Sequence, residues 1–184
     1  MSNDKSLGDR MKEDYENRFR TSLPRRSYTI IRVDGKAFHT YTRGLKKPFD
    51  EGLIRDMNDT AAYMCKNIMG AKLAYVQSDE ITIVITDFGD ENTQAWFDNN
   101  LQKMCSVAAS MATAKFNDVA QNLLPGRDFA LFDCRAFNLP ADEVGNYFLW
   151  RYIDWARNCV SMAAQSIYSH KELQGKNVVT NSFL

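Results

Sequence analysis

The chain is expected to fold as an α+β domain, a ferredoxin-like βαββαβ unit with additional N- and C-terminal helices. Three observations predict it. Four short runs rich in β-branched and aromatic residues (27–33, 72–76, 81–86 and 129–135) alternate with two long segments of helical periodicity. The middle two runs are separated only by a tight polar turn, which makes them a hairpin. With 184 residues the chain suits one domain with a substantial core. The order β-α-β-β-α-β is that of the ferredoxin-like supersecondary unit.

Residues 2–19 have helical character: Ser6 can cap, and Leu7, Met11, Tyr15 and Phe19 recur near helical spacing. Leu23-Pro24 breaks this segment, and the strand 27–33 then delivers Asp34 at its end. A loop with Gly44 and Pro48 follows. Asp50 is the N-cap of a helix to about Met69, with Leu53, Ile54, Met57, Ala61, Met64 and Cys65 on one side and Gly70 as its stop. The hairpin of 72–76 and 81–86 carries Asp79 and Glu80 at its turn. After a polar turn at 87–92, residues 93–117 read as a second long helix bearing Trp96, Phe97, Leu101, Met104, Val107, Ala108 and Met111. The last strand is 129–135. Asn138 or Pro140 then opens a helix to Tyr168, with Phe148, Tyr152, Trp155, Cys159, Met162 and Ala163 inward. The single domain thus divides into an N-terminal helix (1–24), a core (25–137) and a C-terminal helical segment (138–184).

Apolar residues make up 45% of the chain and charged residues 25%, an ordinary globular composition. Lys plus Arg equals Asp plus Glu at 23 each, so any cationic surface must be local. Arg18-Phe19-Arg20 with Arg25-Arg26, and Arg43 with Lys46-Lys47, are the candidates. Cys65, Cys105, Cys134 and Cys159 are widely separated, and only His39 and His170 add imidazoles, which disfavours structural zinc. Buried free thiols in a reducing compartment are expected. The polar N-terminus lacks an apolar leader and no run approaches membrane-spanning length, so a cytoplasmic protein without membrane contact is expected.

The chemistry concentrates at two places. Asp34 precedes Gly35, whose missing side chain permits close approach of a ligand. The amides of Lys36, Ala37, Phe38 and His39 can form a nest for phosphate oxygens, with Lys36 and Lys47 supplying charge. Asp-Gly alone equally fits an ordinary turn. Asp79 and Glu80 repel one another at a tight turn and gain nothing locally unless water or a cation screens them. Exposed acids at a hairpin tip are the bland alternative. The topology brings the first strand beside the hairpin. Carboxylates converging there suit hard cations, which hold triphosphates and neutralise the charge of phosphoryl transfer. His39 fits either a phosphate contact or a structural hydrogen bond. Phe38 and Phe49 fit base stacking or core, and Arg151, Arg157 and Asn158 fit a nucleic acid face or solvent.

The motifs RVDGKAFH at 32–39, KP at 47–48, QSDE at 77–80 and SHKEL at 169–173 together resemble the tRNA-His guanylyltransferase family, in its shorter Thg1-like branch of 3′–5′ nucleotide-adding enzymes. The resemblance runs from residue 7 to about 176. It implies a palm-like catalytic domain related to polymerases and nucleotide cyclases. It makes Asp34, Asp79 and the Gly35 carbonyl ligands for two Mg²⁺ ions, and Glu80 a carboxylate required for activity in a supporting role. The backbone from Asp34 through Gly35, Lys36, Ala37 and Phe38 to His39, with Ser78, would cradle a nucleoside triphosphate. Lys47 would contact phosphate, Asp50 would lie near the base, and Asn158 would bind nucleotide. The implied reaction activates the 5′ end of a tRNA with ATP, after which the 3′-hydroxyl of an incoming nucleotide, GTP among them, attacks it. The resemblance also implies a homo-oligomer, a tetramer.

Two departures refine this. Family guanylyltransferases carry a His-Ile-Asn-Asn-Leu-Tyr-Asn motif where this chain has residues 156–162; only Asn158 persists and Ala156 holds the histidine position. That favours template-directed repair of tRNA 5′ ends over dedicated guanosine addition to tRNA-His. Residues 177–184 are unlike the family's continuation, so a shortened tRNA-facing segment is expected. Two rivals are a nucleotide cyclase of related fold, which lacks a GGDEF-like turn here, and a catalytically weakened nucleotide- or RNA-binding variant.

Overall fold

The computed structural model describes residues 5–121, 123 and 125–175. Its helices are α1 (Leu7–Met11), α2 (Phe38–Tyr41), α3 (Glu51–Asn67), α4 (Leu101–Val119), α5 (Ala141–Ile167) and α6 (His170–Leu173). Its strands are β1 (Tyr28–Gly35), β2 (Ala71–Gln77), β3 (Glu80–Ile85) and β4 (Phe132–Leu139). They form one antiparallel sheet in the order β2-β3-β1-β4. Leaving aside the short α2, β1-α3-β2-β3-α4-β4 is the order read from the sequence.

Side chains alternate across a strand, so each strand presents two sets of residues. Ile31 and Val33 of β1 join Ile81, Ile83 and Ile85 of β3 on the face covered by α3 and α4. There Met57, Ala61, Met64, Met104, Ala108 and Phe116 complete the main core. Ile30 and Val84 point the other way and meet Tyr147 of α5 in a much smaller cluster. By the same alternation Arg32, Asp34, Glu80 and Thr82 belong to this second face.

Several boundaries differ from expectation, each for a local reason. The N-terminal segment is capped by Ser6, whose Oγ accepts from the Asp9 amide at 3.1 Å. It is not one continuous helix, because α1 passes into a wider turn at Lys12–Glu16 and a tighter one at Asn17–Phe19. Nothing in it is buried, so no packed face holds one helical pitch. The start of that expected helix, residues 2–4, lies outside the described residues.

The helix expected over 93–117 begins only at Leu101. Asn100 caps it by accepting from the Lys103 amide at 2.9 Å. Before it, Phe97, Asp98 and Asn99 turn left-handed. Backbone bonds from Leu23 to Asn99 and from Leu101 to Thr21, both 2.9 Å, fix the break.

The last strand lies later than 129–135 because pairing with β1, from Tyr28↔Leu139 to Gly35↔Phe132, sets its register. Glu80 is the first residue of β3, and the turn proper is Ser78-Asp79, with Ser78 at φ 53°. The inward face of α5 carries Tyr147, Arg151 and Ala164, while Tyr152 is 54% exposed. A stripe judged on apolar residues alone is misplaced because one buried position is an arginine. All four cysteines are half-buried free thiols, less enclosed than expected. Among the described residues no helix is long and apolar enough to cross a membrane.

Candidate active site

The end of β1 and the β2–β3 turn meet at one point. The Gly35 amide donates to the Asp79 carbonyl at 3.1 Å, and Asp34 lies opposite Glu80 in register. Left-handed Ser78 swings the turn so that Asp79 joins Asp34 on a common cleft of about 560 Å³, within the usual size of a small-molecule site. Its sheet side carries Asp34, Gln77, Ser78, Asp79 and Glu80. Phe49, Asp50 and Ile54 form a second side, and Trp155, Asn158, Cys159 and Met162 of α5 form the wall opposite. An adjoining hollow of about 330 Å³ adds His39, Lys46 and Lys47 and shares Asp50, Ser78 and Asp79. Asp34 and Glu80 therefore line the larger hollow alone, the lysines line the smaller, and Asp50 and Asp79 lie where the two join.

Burial pushes the Asp79 carboxyl above the usual range, and the Asp34 carboxylate adds to this, while the Ser78 hydroxyl and His39 oppose it. Asp34 has a distant partner in Arg135 at 3.6 Å, which also reaches Asp133 at 3.5 Å. Glu80 is 6% exposed and Arg151 8%. Nε and Nη2 of Arg151 donate to the two oxygens of Glu80 at 2.9 and 2.8 Å, a bidentate pair. Burial pushes the Glu80 carboxyl up, and Arg151, then Arg32, hold it back. With its amide turned to satisfy both partners, Gln77 donates to the Arg151 carbonyl at 2.9 Å and accepts from its guanidinium at 3.2 Å. Asp50 is the N-cap of α3. It accepts from the Leu53 amide at 3.0 Å, which lowers its pKa, and from the Lys46 amide at 3.1 Å. It thereby ties the start of α3 to the loop that carries Lys46 and Lys47.

The expected donors for a metal are two carboxylates and a backbone carbonyl. Among the described residues no group of three His, Cys, Asp or Glu side chains forms a ligand cluster, which removes a protein-only cage of side chains. An all-oxygen set of one or two carboxylates completed by substrate phosphates is the usual Mg²⁺ arrangement. A half-buried Asp79 with a raised pKa beside a second carboxylate is a charge imbalance that a divalent cation relieves. The residues fit the ion.

Of the residues singled out from the sequence, Asp34, Asp50, Ser78, Asp79, Glu80 and Asn158 line the larger cleft, and Phe38, His39 and Lys47 the smaller. Among the described residues neither hollow is lined by Gly35, Lys36 or Ala37. The Lys36 amide is already taken by the Leu131 carbonyl at 2.8 Å, so it does not face a ligand as the nest required. Ala37, at φ 54°, turns the chain into α2. Gly35 has a packing role, since a Cβ there would come within 2.6 Å of the Phe38 ring. Phe38 is core, 3% exposed and packed on Tyr41, Phe116 and Phe132, whereas Phe49 is 45% exposed and lines the cleft. Asn158 bonds only distantly to Asp154, at 3.5 Å. Arg25 is engaged with Asp87 at 2.7 Å, which thins the first cationic patch.

Arg151 and Gln77 are the functional neighbours the sequence did not single out together. Their signal was an acid in the hairpin without a partner and an arginine one helical turn after Tyr147. The SHKEL stretch holds α6, where Ser169 and Glu172 form a capping box. Residues 177–184, where a shortened segment was expected, lie outside the described residues.

A model of the tRNAHis guanylyltransferase family matches residues 8–140. A solved bacterial tRNA(His) guanylyltransferase-like protein in complex with ATP is 54% identical, with a TM-score of 0.92, covering 96% of this chain and 77% of that one. A second such structure, in complex with GTP, is 54% identical with a TM-score of 0.86, covering 90% of this chain and 79% of that one. The tRNA(His) guanylyltransferase of Candida glabrata is 29% identical over 147 residues, 73% of this chain and 58% of that protein. The chain spans between 44% and 66% of the length of the curated relatives it matches.

Proposed function

The chain belongs to the tRNAHis guanylyltransferase family, and from that premise we propose that it is a metal-dependent 3′–5′ nucleotidyltransferase that adds nucleotides to the 5′ end of a tRNA. The sheet is then a palm, with ATP and GTP as substrates. ATP activates the 5′ end with release of pyrophosphate, and the 3′-hydroxyl of an incoming nucleotide attacks the activated phosphate. Ala156 in the histidine position supports template-directed repair over dedicated guanosine addition. A cytoplasmic homo-oligomer, a tetramer, completes the reading.

The observation that carries it is the convergence of Asp34 and Asp79 on one cleft, with His39 and Lys47 lining the adjoining hollow that Asp79 shares. Asp34 and Asp79, with the carbonyl of Gly35 next to Asp34 in the chain although Gly35 lines neither hollow, would hold Mg²⁺, which when bound would lower the pKa of the attacking hydroxyl and neutralise charge on the leaving group. Lys47, His39 and Ser78 contact phosphate oxygens. Asp50 holds the lysine loop against α3 and lies near the base, and Asn158 reaches the nucleotide from α5. Glu80 supports the metal-binding aspartates from beneath.

The test is incubation of a 5′-truncated tRNA with ATP, nucleoside triphosphates and Mg²⁺. Extension of the 5′ end, dependent on the opposing strand, is the expected result. A cyclic nucleotide product, or no nucleotide product at all, overturns the proposal.

A further inference from the structure

Helix α5 has 27 residues, and Arg151 divides it by role. Before Arg151 the helix is attached to the sheet: Tyr147 packs on Ile30 and Val84, with its hydroxyl 3.2 Å from Thr82 Oγ1. After Arg151, Asn158, Cys159, Met162 and Gln165 form the wall of the cleft. Among the described residues Arg151 is the last side chain of the helix hydrogen-bonded to the sheet; it and Glu80, which it grips, line the inner edge of the cleft, and Glu80 is the chain neighbour of Asp79. It also reaches Asp154 at 3.3 Å and lies over the Trp150 ring at 4.7 Å. A guanidinium fork on a carboxylate fixes both distance and plane, which a single ammonium contact does not.

We propose that Arg151 is a positioning residue that sets the α5 wall against the hairpin turn, so that one ion pair fixes both sides of the nucleotide cleft. This rests on the nucleotide-binding reading above. In the unsubstituted protein a fluorescent ATP analogue with Mg²⁺ must bind; failure there sinks that reading, not this one.

Arg151→Met is expected to weaken binding of the analogue roughly tenfold or more, as loss of outer-shell partners does. It is also expected to speed amide hydrogen exchange across residues 158–165 while residues 57–64 stay protected. Tyr147→Phe, which loosens the same helix, leaves the Arg151 fork on Glu80 intact and reaches Glu80 only through the Thr82 hydroxyl, is expected to bind within about twofold of the unsubstituted protein at temperatures well below its unfolding midpoint. If Arg151→Met does not fold, Arg151→Lys, which keeps the charge and loses the fork, is read the same way. Unchanged nucleotide affinity in the folded Arg151 variant, or an equal loss in Tyr147→Phe, overturns the proposal.

Discussion

The two faces of the sheet are built to opposite rules. The face under α3 and α4 is aliphatic and closed: Ile31, Val33, Ile81 and Ile83 are fully buried against Met57, Met104 and Phe116. The face under α5 carries a small apolar cluster at one end and a charged row at the other. There Asp34, Glu80 and Gln77 stand side by side across three strands. Close packing is indifferent to which apolar residue supplies the volume, but a buried carboxylate needs a named partner. The first face holds the domain together. The second is left open enough to bind something, and it costs stability where its acids are enclosed.

This contrast breaks if a core deletion disables the cleft as strongly as it disables the fold. Phe116→Ala on the closed face is expected to cost about 3–5 kcal/mol in unfolding free energy. Nucleotide affinity below the new midpoint should change little; denaturant titration and a binding isotherm on the same variant check both. Asp79→Asn is the converse. It is expected to lower nucleotide addition on the order of a hundredfold or more while leaving the unfolding midpoint unchanged or slightly raised, since the enclosed carboxylate is disfavoured in the folded chain. Single-turnover rates with thermal unfolding decide it, and unaltered addition rates remove Asp79 from the metal site.

The same contrast explains what the sequence disclosed. Ile31, Val33, Met57 and Ala61 were legible because periodicity alone puts them inside. On the other face, Tyr152 and Trp155 continue an apolar stripe that periodicity places inward, yet the helix buries Tyr147 and Arg151. Periodicity counts hydrophobicity and is blind to an ion pair with a partner 71 positions away. Asp34 and Asp79 were legible because strand order brings them together. The expected nest is interrupted at Lys36, whose amide is committed to Leu131, a contact set by a loop without periodicity. Phe38 and Phe49 are the same residue type eleven positions apart, and only packing tells core from cleft.

Lys47 sharpens the comparison within the open face. It is exposed and lines the smaller hollow, which Asp79 shares, rather than the larger one that Asp34 lines. Lys47→Ala is therefore expected to raise the apparent KM for triphosphate about tenfold, the worth of one charge-assisted hydrogen bond, with kcat and stability nearly kept. Initial rates across nucleotide concentration test this, and an unchanged KM takes Lys47 out of the phosphate path.

The smallest effect lies in the pH dependence of stability, and its sign separates the cleft floor from its lip. Asp79 and Glu80 have folded pKa values raised by burial above their ordinary 3.8 and 4.5. Between those ordinary values and the raised ones the folded chain binds more protons than the unfolded chain, so stability rises as pH falls through that window. Asp50, at the lip, is shifted the other way by the Leu53 amide. Its contribution is present above 3.8 and is lost as pH falls through its lowered value. Buried Asp56 on α3 is also shifted upward and adds to the first group. The Mg²⁺-free chain should therefore show an unfolding midpoint that climbs by no more than a few degrees as pH falls from neutrality through the raised values of Asp79 and Glu80 toward their ordinary 3.8 and 4.5, then falls in stronger acid. Asp79→Asn and Glu80→Gln each flatten the climb, whereas Asp50→Asn leaves the climb and softens the fall. A midpoint that drops steadily from neutral pH would mean that the acids of the open face are better served in the folded chain than their enclosure indicates.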